Sequence, residues 1–556
     1  SARALDVGAF SSRSHSLTAA ANGGKDGKGA VALNIEVGNA ITEAALGGTI
    51  RTQGDLNLAA ETLYFGKAHA TSATLGLADP LKTAINKLGP VAAIKDKVTE
   101  VTNKIKERIS GKKKDDTPSK PGFAFGLAFD LQLDRDDTYA TLGGKYRDLG
   151  NGNALVDLGA TSVQTARLGA VNVTSALRFA STAEGGSELS RSVDSSMGFL
   201  DRIAELELAR QNQAAAALGL PPVTKDELFG QFGNAVFLNG SVMLMSGETV
   251  AEIGANAEIT VATAVNVCAT THYPEFDRFT DVRDEFVEFA EDVSEFQLIE
   301  GEIGVDATVN PPPALPDIVA LADLGNYLTT YTGAYADQNQ LDAPPAGQPA
   351  PKSQNLAVAV SVNVFNTDNT TRAVIRDGAK IDLSDAAGDL DGEVEVTAVQ
   401  RGLFTHMQNF PTDLRTVTDP IGSDDNVTNR VGGALTLART VSRVEALVEG
   451  EAEITAESLD LDAHNRAIVF NLVYAGGAAA NVAINAAIAA QAVENVTIAR
   501  LSDRAKVSTG DLTITALDDS FIMGLAGAFA GSDGAVSVGA SGVVNFSKRQ
   551  LYAGIG

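Results

Sequence analysis

Residues 355–398 decide the fold, and they read NLAVAVSVNVFNTDNTTRAVIRDGAKIDLSDAAGDLDGEVEVTA. Ala357–Val364 alternate with a period of two, and polar breaks follow at Asn366–Asn369, Asp377-Gly378 and Gly392. Alternation over four to eight residues is typical of a β-strand, and Gly, Asn and Asp are typical of turns. The stretch therefore predicts strand, turn, strand and turn, with no helix between them.

The same pattern recurs along the chain, and one alanine in each copy marks its position. These alanines are Ala44, Ala140, Ala251, Ala373, Ala446, Ala499 and Ala553, separated by 96, 111, 122, 73, 53 and 54 residues. The base period is close to 53 residues, and the larger gaps are that period plus insertions. Internal repeats of short strands indicate a solenoid, in which each unit buries its apolar edge by stacking on the next.

We therefore expect an all-β protein, a right-handed parallel β-helix with α-helical insertions that project from one edge. Two to three turns of about 4.8 Å each would fit one period. We expect the apolar strand residues to point inward, and this set comprises Val358, Val360, Val362, Ile454, Ile484 and Ile514.

The chain divides into repeats and insertions. β-Helix repeats are expected at 1–61, 122–196, 233–270, 355–400 and 431–556, the last ending in mid-repeat, which suggests a piece of a longer polypeptide. A basic helical insertion is expected at 62–121, a helical one at 197–232, an acidic helical and Pro-rich one at 271–354, and a loop at 401–430. The acidic one would hold a helix at Phe276–Leu298 and another around Ile318–Tyr331. Since equivalent positions of a solenoid stack, the insertions should line one edge.

Two insertions carry opposite charge. Leu81–Lys114 holds ten Lys or Arg against three acids, a net of +7, whereas Glu275–Glu300 holds ten acids against two Arg, a net of −8. Pairing between the two helices is one hypothesis; binding of the basic helix to a membrane surface, or simple packing of each helix on the solenoid, are the others. The residues that would carry the pairing are Lys95, Lys97, Lys104, Lys106, Asp284, Glu285, Glu288 and Glu291.

The composition excludes several other functions. A net charge of −27 argues against nucleic acid as a partner. The single cysteine, Cys268, excludes an internal disulfide framework and is expected to be a buried small hydrophobe. No apolar stretch long enough for a transmembrane helix is found. The five histidines lack metal-ligand spacing. Acidic clusters such as 134–137 and 385–391 could hold calcium, but solvated turns are the favoured interpretation, so no cofactor is expected.

With its alternating strand followed by Ala-x-Val/Ile-x-Asp-Gly-Ala, the chain resembles the repeat regions of giant bacterial surface exoproteins, namely filamentous-haemagglutinin-like adhesins and leukotoxin-like repeat proteins. The resemblance covers most of the chain outside the insertions. It implies secretion, a parallel β-helix and a role at the bacterial cell surface, and it brings no catalytic residues.

The expected function is therefore that of a non-enzymatic segment of a giant secreted surface protein, an adhesin or surface fibre. Its partners would be further copies of itself or a ligand on a host or cell surface. Small residues alternate with Val, Ile or Phe in Ala478–Ala492 and Gly524–Val544, so one alternative is the subunit of a self-assembling extracellular filament or sheath. A carbohydrate-active β-helix enzyme is the other alternative, although no catalytic trio stands out.

Overall fold

A computed structural model shows an all-β solenoid of parallel strands. It describes residues 4–22, 30–73, 122–148, 154–165, 169–186, 232–260, 263–272, 328–333, 354–385, 387–408, 427–532 and 536–556. Within these ranges every regular element is a strand, and every pairing is parallel except one short hairpin.

Two stacked sheets face one another. The first, called here the front sheet, consists of β2 (Ala30–Leu46), β5 (Gly122–Leu142), β10 (Phe232–Ile253), β14 (Gln354–Ile375), β17 (Val427–Val448), β19 (Val482–Leu501) and β22 (Val536–Ile555), in that order. The second, the back sheet, stacks β1 (Leu5–Asn22), β4 (Leu56–Ala73), β9 (Val171–Gly186), β12 (Ala264–His272), β16 (Glu393–Gln408) and β18 (Glu453–Ala479), with β20 (Lys506–Asp518) and β21 (Phe521–Ser532) on the far side of β18.

Short strands complete the turns. The corner strands β3 (Thr49–Arg51), β8 (Thr161–Gln164), β11 (Ala257–Thr260) and β15 (Lys380–Asp382) stack on one another and on the start of β18, and β13 (Leu328–Gly333) lies between β9 and β16. The antiparallel hairpin consists of β6 (Lys145–Asp148) and β7 (Ala154–Asp157). One turn of the solenoid thus contains a long front strand, a corner and a long back strand.

The register shows that one sequence period is one turn. Ala373 pairs with Ala251 on one side and with Ala446 on the other, and Ala446 pairs with Ala499. All seven marker alanines are joined in this way. The expectation of two to three turns per period is therefore wrong. It assumed short strands, whereas β19 alone has 20 residues.

Long strands make the body broad rather than slender. A strand of 20 residues spans about 66 Å at roughly 3.3 Å per residue. Seven front strands stack over only about 30 Å at roughly 4.8 Å per step. Most of the surface is consequently the two outward faces of the sheets.

The apolar core lies at the corner between the sheets. Ala373 and Ile375 at the end of β14 pack with Ile381 of the corner and with Val394 and Val396 of β16, and all five are at most 1% exposed. Some of the bends contain a left-handed residue, such as Gly378 (φ 72°) in one turn and Asn256 (φ 58°) in the previous turn, three residues after the paired Ile375 and Ile253. The predicted turns at Gly378 and Gly392 are confirmed, whereas the turn predicted at Asn366–Asn369 is wrong, because these residues lie within the continuous strand β14.

The expected inward direction of the front-strand valines is wrong. Val358, Val360 and Val362 are only partly buried, and Ile484 of β19 is 40% exposed. β14 runs without a break to Ala373 and Ile375, which point into the core, so alternation places the odd-numbered residues inside and these valines outside. Two other residues follow the expectation: Ile454 is buried in the core and Ile514 packs against it.

Away from the corner, the interior combines buried polar residues with a second apolar cluster that includes Met243, Phe365 and Phe404. Ser361, Asn363, Thr367 and Thr371 of β14 are fully buried, as is His406 of β16. The His406 ring lies 4.2 Å from that of Phe365, and burial lowers the pKa of this histidine to about 3. His406 is therefore neutral in the fold.

Acid should destabilise the fold through His406. Its pKa is about 3 in the fold against about 6.5 in an unfolded chain, so its contribution to stability is complete above pH 6.5 and declines as the pH falls towards 3. The slope approaches about 1.4 kcal/mol per pH unit in that window. We expect the urea midpoint of His406→Phe to change less between pH 6.5 and pH 4 than that of the wild type. His464→Phe is the control, since His464 lies beside Asp519 (3.3 Å) near the surface. An equally weak pH dependence of the midpoint in both variants would contradict the assignment.

Each long connection joins the end of a back strand to the start of the next front strand. β4 is followed by β5 after 74–121, β9 by β10 after 187–231, β12 by β14 after 273–353, a range of which the structure describes β13, and β16 by β17 after 409–426. The helices expected in these ranges lie outside the described residues, with one exception. For the helix expected around Ile318–Tyr331, the prediction is wrong at its C-terminal end, because Leu328–Gly333 is strand β13.

β13 fills a place that β12 leaves open. β12 ends at His272, which pairs with Arg178 of β9 and Arg401 of β16. Further along the same two strands, Thr329 of β13 pairs with Thr182 and Thr405. The chain therefore leaves this turn after His272 and re-enters it at Leu328, in line with the same layer.

Candidate interaction surface

The outward surface of the front sheet is apolar over the first half of each strand, and we call it the apolar face. It consists of Val31, Leu33, Ile35 and Val37 on β2; Phe125, Leu127, Phe129, Leu131 and Leu133 on β5; Val236, Leu238, Gly240, Val242 and Leu244 on β10; Leu356, Val358, Val360, Val362 and Val364 on β14; Val431, Gly433, Leu435 and Leu437 on β17; and Ile484, Ala486, Ile488 and Ala490 on β19. Every one of these positions is apolar.

The apolar face is partly exposed. Val37 is 74% exposed, Leu437 42% and Ile488 45%. Its columns are kept in register by continuous parallel pairing, and Gly240 leaves room for the ring of Phe129, which a Cβ at that position would meet at 2.7 Å. Six strands and up to five columns give an area of roughly 800 Å². A contiguous apolar patch above a few hundred Å² indicates an interaction site.

The second half of the same surface is ionic. Arg372 bonds Glu445 across turns at 2.6 Å, and Arg376 bridges Glu252 (2.7 Å) and Glu449 (3.0 Å) on the two neighbouring turns. Both arginines are partly buried. These bridges join consecutive turns, so this half of the front sheet, which we call the ionic half, stabilises the stack.

A groove of about 640 Å³ lies beside the β6–β7 hairpin and is lined in part by Lys145, Asp157, Glu252 and Arg376. Lys, Arg and Asp are residue types used by polysaccharide lyases, so the groove is the place to look for the enzyme alternative. The guanidinium of Arg376 is already bonded to two carboxylates, and nearby carboxylates raise its pKa although burial opposes them. This arrangement is typical of a structural ion pair.

A second cluster of ionisable groups is enclosed between the sheets, and we call it the buried acidic cluster. Tyr64 donates to Glu36 (2.7 Å) and lies 2.9 Å from Asp134, while Arg13 bonds Asp134 (2.7 Å) and Asp136 (3.3 Å). Burial raises the pKa of Asp136 to about 6, against the lowering effect of Arg13. A raised carboxyl pKa can indicate acid–base catalysis. Here Glu36, Tyr64, Asp134 and Asp136 are at most 8% exposed, which leaves no access for a polymer substrate.

The residues predicted to pair the two charged insertions all lie outside the described residues: Lys95, Lys97, Lys104, Lys106, Asp284, Glu285, Glu288 and Glu291. Cys268 is a free thiol on the outward side of β12, and it is partly rather than fully buried. Burial, aided by Glu395, raises its pKa to about 11, so it is a poor nucleophile.

Among the described residues no group of three His, Cys, Asp or Glu side chains is placed to hold a metal ion. No helix in the part of the chain that the structure covers is long and apolar enough to span a membrane.

Comparison with known proteins found no match to any family model, to any curated protein or to any solved structure.

The apolar face is the candidate interaction surface, and sequence reasoning did not place these residues on the outside. The available signal was the polar residues at alternate positions, Ser361, Asn363, Thr367 and Asn369, on the same strand parity as the buried Ala373.

Proposed function

We propose that this chain is a non-enzymatic structural segment of a secreted bacterial surface protein, acting as a surface fibre or adhesin. The proposed architecture is a right-handed parallel β-helix whose long connections form helical insertions on one edge. The observation that supports the proposal best is the stacked design itself. Each turn adds a layer of two broad outward faces, while the ionisable groups of the buried acidic cluster are enclosed.

Binding surfaces on such a body are repetitive. Neighbouring turns are held by continuous ladders, for example the side-chain bonds from Asn266 to Asn172 (2.8 Å), from Asn172 to Asn57 (2.7 Å) and from Asn57 to Asp6 (2.6 Å) on the outside of the back sheet. The outward side of the back sheet therefore repeats similar polar side chains every ~4.8 Å along the stack. A repeating surface of this kind suits a fibre that binds its ligand at many positions along its length.

Localisation tests this function directly. Antibodies raised against the folded chain should decorate the outside of intact cells that produce it, and mild protease treatment of those cells should remove the signal. Cells permeabilised before labelling serve as the control for total protein. Labelling that requires permeabilisation would overturn the proposal.

A further prediction concerns catalysis. Incubation of the chain with a panel of acidic polysaccharides should release no unsaturated oligosaccharides, measured by absorbance near 235 nm, because Arg376 in the groove is bonded to Glu252 and Glu449. Arg376→Ala is the matched variant. Product formation that this variant abolishes would establish the enzyme alternative instead.

Lateral assembly is the second candidate function, and the apolar face favours it. A filament or sheath subunit needs a surface that contacts neighbouring copies, and the apolar face, which lies beside the ionic half, can serve as that surface. In this case the chain would be a building block rather than a ligand-binding fibre.

A further inference from the structure

We infer that the apolar face is the contact between two copies of this chain, packed front sheet against front sheet. The inference deepens the lateral-assembly candidate of the proposed function. It rests on three properties of the described residues, namely the area of the face, its lack of charge, and the way in which the fold divides polar and apolar residues.

The area fits a stable contact between two proteins. A standard interface buries about 800 Å² on each partner, close to the roughly 800 Å² of the apolar face. Two sheets can pack face to face about 10 Å apart, with interdigitated side chains. The face offers large residues such as Leu435 and Ile488 next to small ones such as Gly433 and Ala486, which is the relief that interdigitation requires.

The charge distribution favours a second copy over polar ligands. Two copies that each carry a net charge of −27 repel one another over most of their surfaces. None of the described positions of the apolar face is charged, so this is where two copies can approach closely. A glycan or an acidic polymer would find no hydrogen-bond donor there.

The division of residues within the fold supports the same conclusion. Front strands place Ser361, Asn363 and Thr367 inside and Val358 and Val362 outside. Much of the apolar surface of these strands therefore stays in water when a single copy folds, and only association removes it.

One two-fold arrangement avoids contact between the ionic halves. If the two-fold axis runs along the stacking direction through the middle column, the strands of the two copies run in opposite directions. The ionic halves then lie at opposite ends of the interface. The middle column contains Phe129, Val362, Leu435 and Ile488, so each of these residues would face its own counterpart in the second copy.

Sedimentation of the full chain tests the contact. The wild type should sediment as a dimer or larger species at micromolar concentration, and the double variant Leu435→Lys with Ile488→Lys should be a monomer at the same concentration. Thr174→Lys with Thr270→Lys is the control, since these residues lie on the outward side of the back sheet; it should sediment like the wild type. Far-UV circular dichroism verifies that every variant is folded.

Disulfide trapping tests the arrangement. In a Cys268→Ser background, Leu435→Cys should form a covalent dimer under mild oxidation. Val431→Cys should not, because it lies two columns from the axis and would face Arg439 of the second copy, a charged residue that borders the apolar face on β17. A cross-linking pattern with these two roles exchanged would overturn the two-fold arrangement.

A monomeric wild type would overturn the contact itself. If the wild type and the Lys variant cosediment equally with neutral lipid vesicles, the apolar face does not bind lipid, which supports the contact between copies. Loss of vesicle binding in the Lys variant of a monomeric chain would assign the face to a lipid surface. A monomer whose Leu435→Cys thiol is protected from maleimide would assign it to another segment of the same chain. Each of these monomer results leaves the surface-labelling test of the proposed function unaffected.

Discussion

Replacing Ile375 with aspartate is expected to unfold the turn that contains β14, whereas the same change at Val360 of the same strand should leave the fold intact. Ile375 is fully buried in the corner core, and Val360 lies on the apolar face. The first variant loses about 1.5–3 kcal/mol of apolar burial. It also buries a carboxylate without a partner, so the total loss should exceed about 4 kcal/mol.

The two substitutions lie on the same strand at opposite parity, so the pair tests which side of β14 is buried. The urea midpoint followed by circular dichroism should fall sharply for Ile375→Asp and by less than about 1 kcal/mol equivalent for Val360→Asp. Hydrogen exchange should localise the loss to β14 and the neighbouring turns, because turns of a solenoid contact only their neighbours. A larger loss for Val360→Asp than for Ile375→Asp would mean that the valines point inward after all.

Sequence reasoning could predict the repeat and the turns at Gly378 and Gly392, but not the continuity of β14 through Asn366–Asn369. The marker alanines are small because they stack inside the corner, and their register in the ladders follows from their spacing in the sequence. Gly378 and Gly392 mark bends because both take a positive φ. These are local properties, so a single sequence reveals them.

Two features depend on the whole layer and were not predicted: which side of each strand is buried, and how many residues form one turn. Alternation in Ala357–Val364 defines two faces and leaves open which of them is buried. The unbroken continuation of β14 to Ala373 and Ile375 decides the question, together with the corner core that those residues join. One turn per period likewise follows only when strands of about 20 residues are considered.

The apolar face was not predicted, because the apolar side of each strand was assumed to be the inner side. That assumption holds where one sheet covers a single core. Here the corner core determines the parity, and the apolar half of each front strand is displaced to the outside. Residues such as Val362 and Ile484, which were expected to point inward, lie on the outward side instead.

The buried acidic cluster gives the second large effect. Arg13 is its one described cation, and its guanidinium bonds Asp134 and Asp136 while it lies 4.4 Å from the ring centre of Tyr64. Asp134 and Asp136 have side chains that are 1% exposed, whereas that of Arg13 is 26% exposed. Removal of the arginine would therefore leave buried carboxylates beside Glu36 with no described compensating charge.

Arg13→Met should lower the free energy of unfolding by about 2–4 kcal/mol at pH 8, somewhat less than for a fully buried pair because Arg13 is partly solvated. The loss should be smaller at pH 5. Asp136 has a pKa raised to about 6 in the fold against about 3.9 when unfolded, so its protonated form is favoured by folding. Its contribution is fully present below pH 4, declines as the pH rises to 6, and is absent above that. Without Arg13, the stability contribution of protonated Asp136 should continue to decline above pH 6.

Asp136→Asn separates this charge effect from a loss of packing. The amide is neutral at every pH, so in the Arg13→Met background it should recover part of the stability at pH 8 and little at pH 5. Urea midpoints of the two single variants and the double variant at both pH values form the required cycle. Equal losses for Arg13→Met at pH 5 and pH 8, with no recovery from Asp136→Asn, would show that Arg13 stabilises the fold through its contact with the Tyr64 ring rather than through the carboxylates.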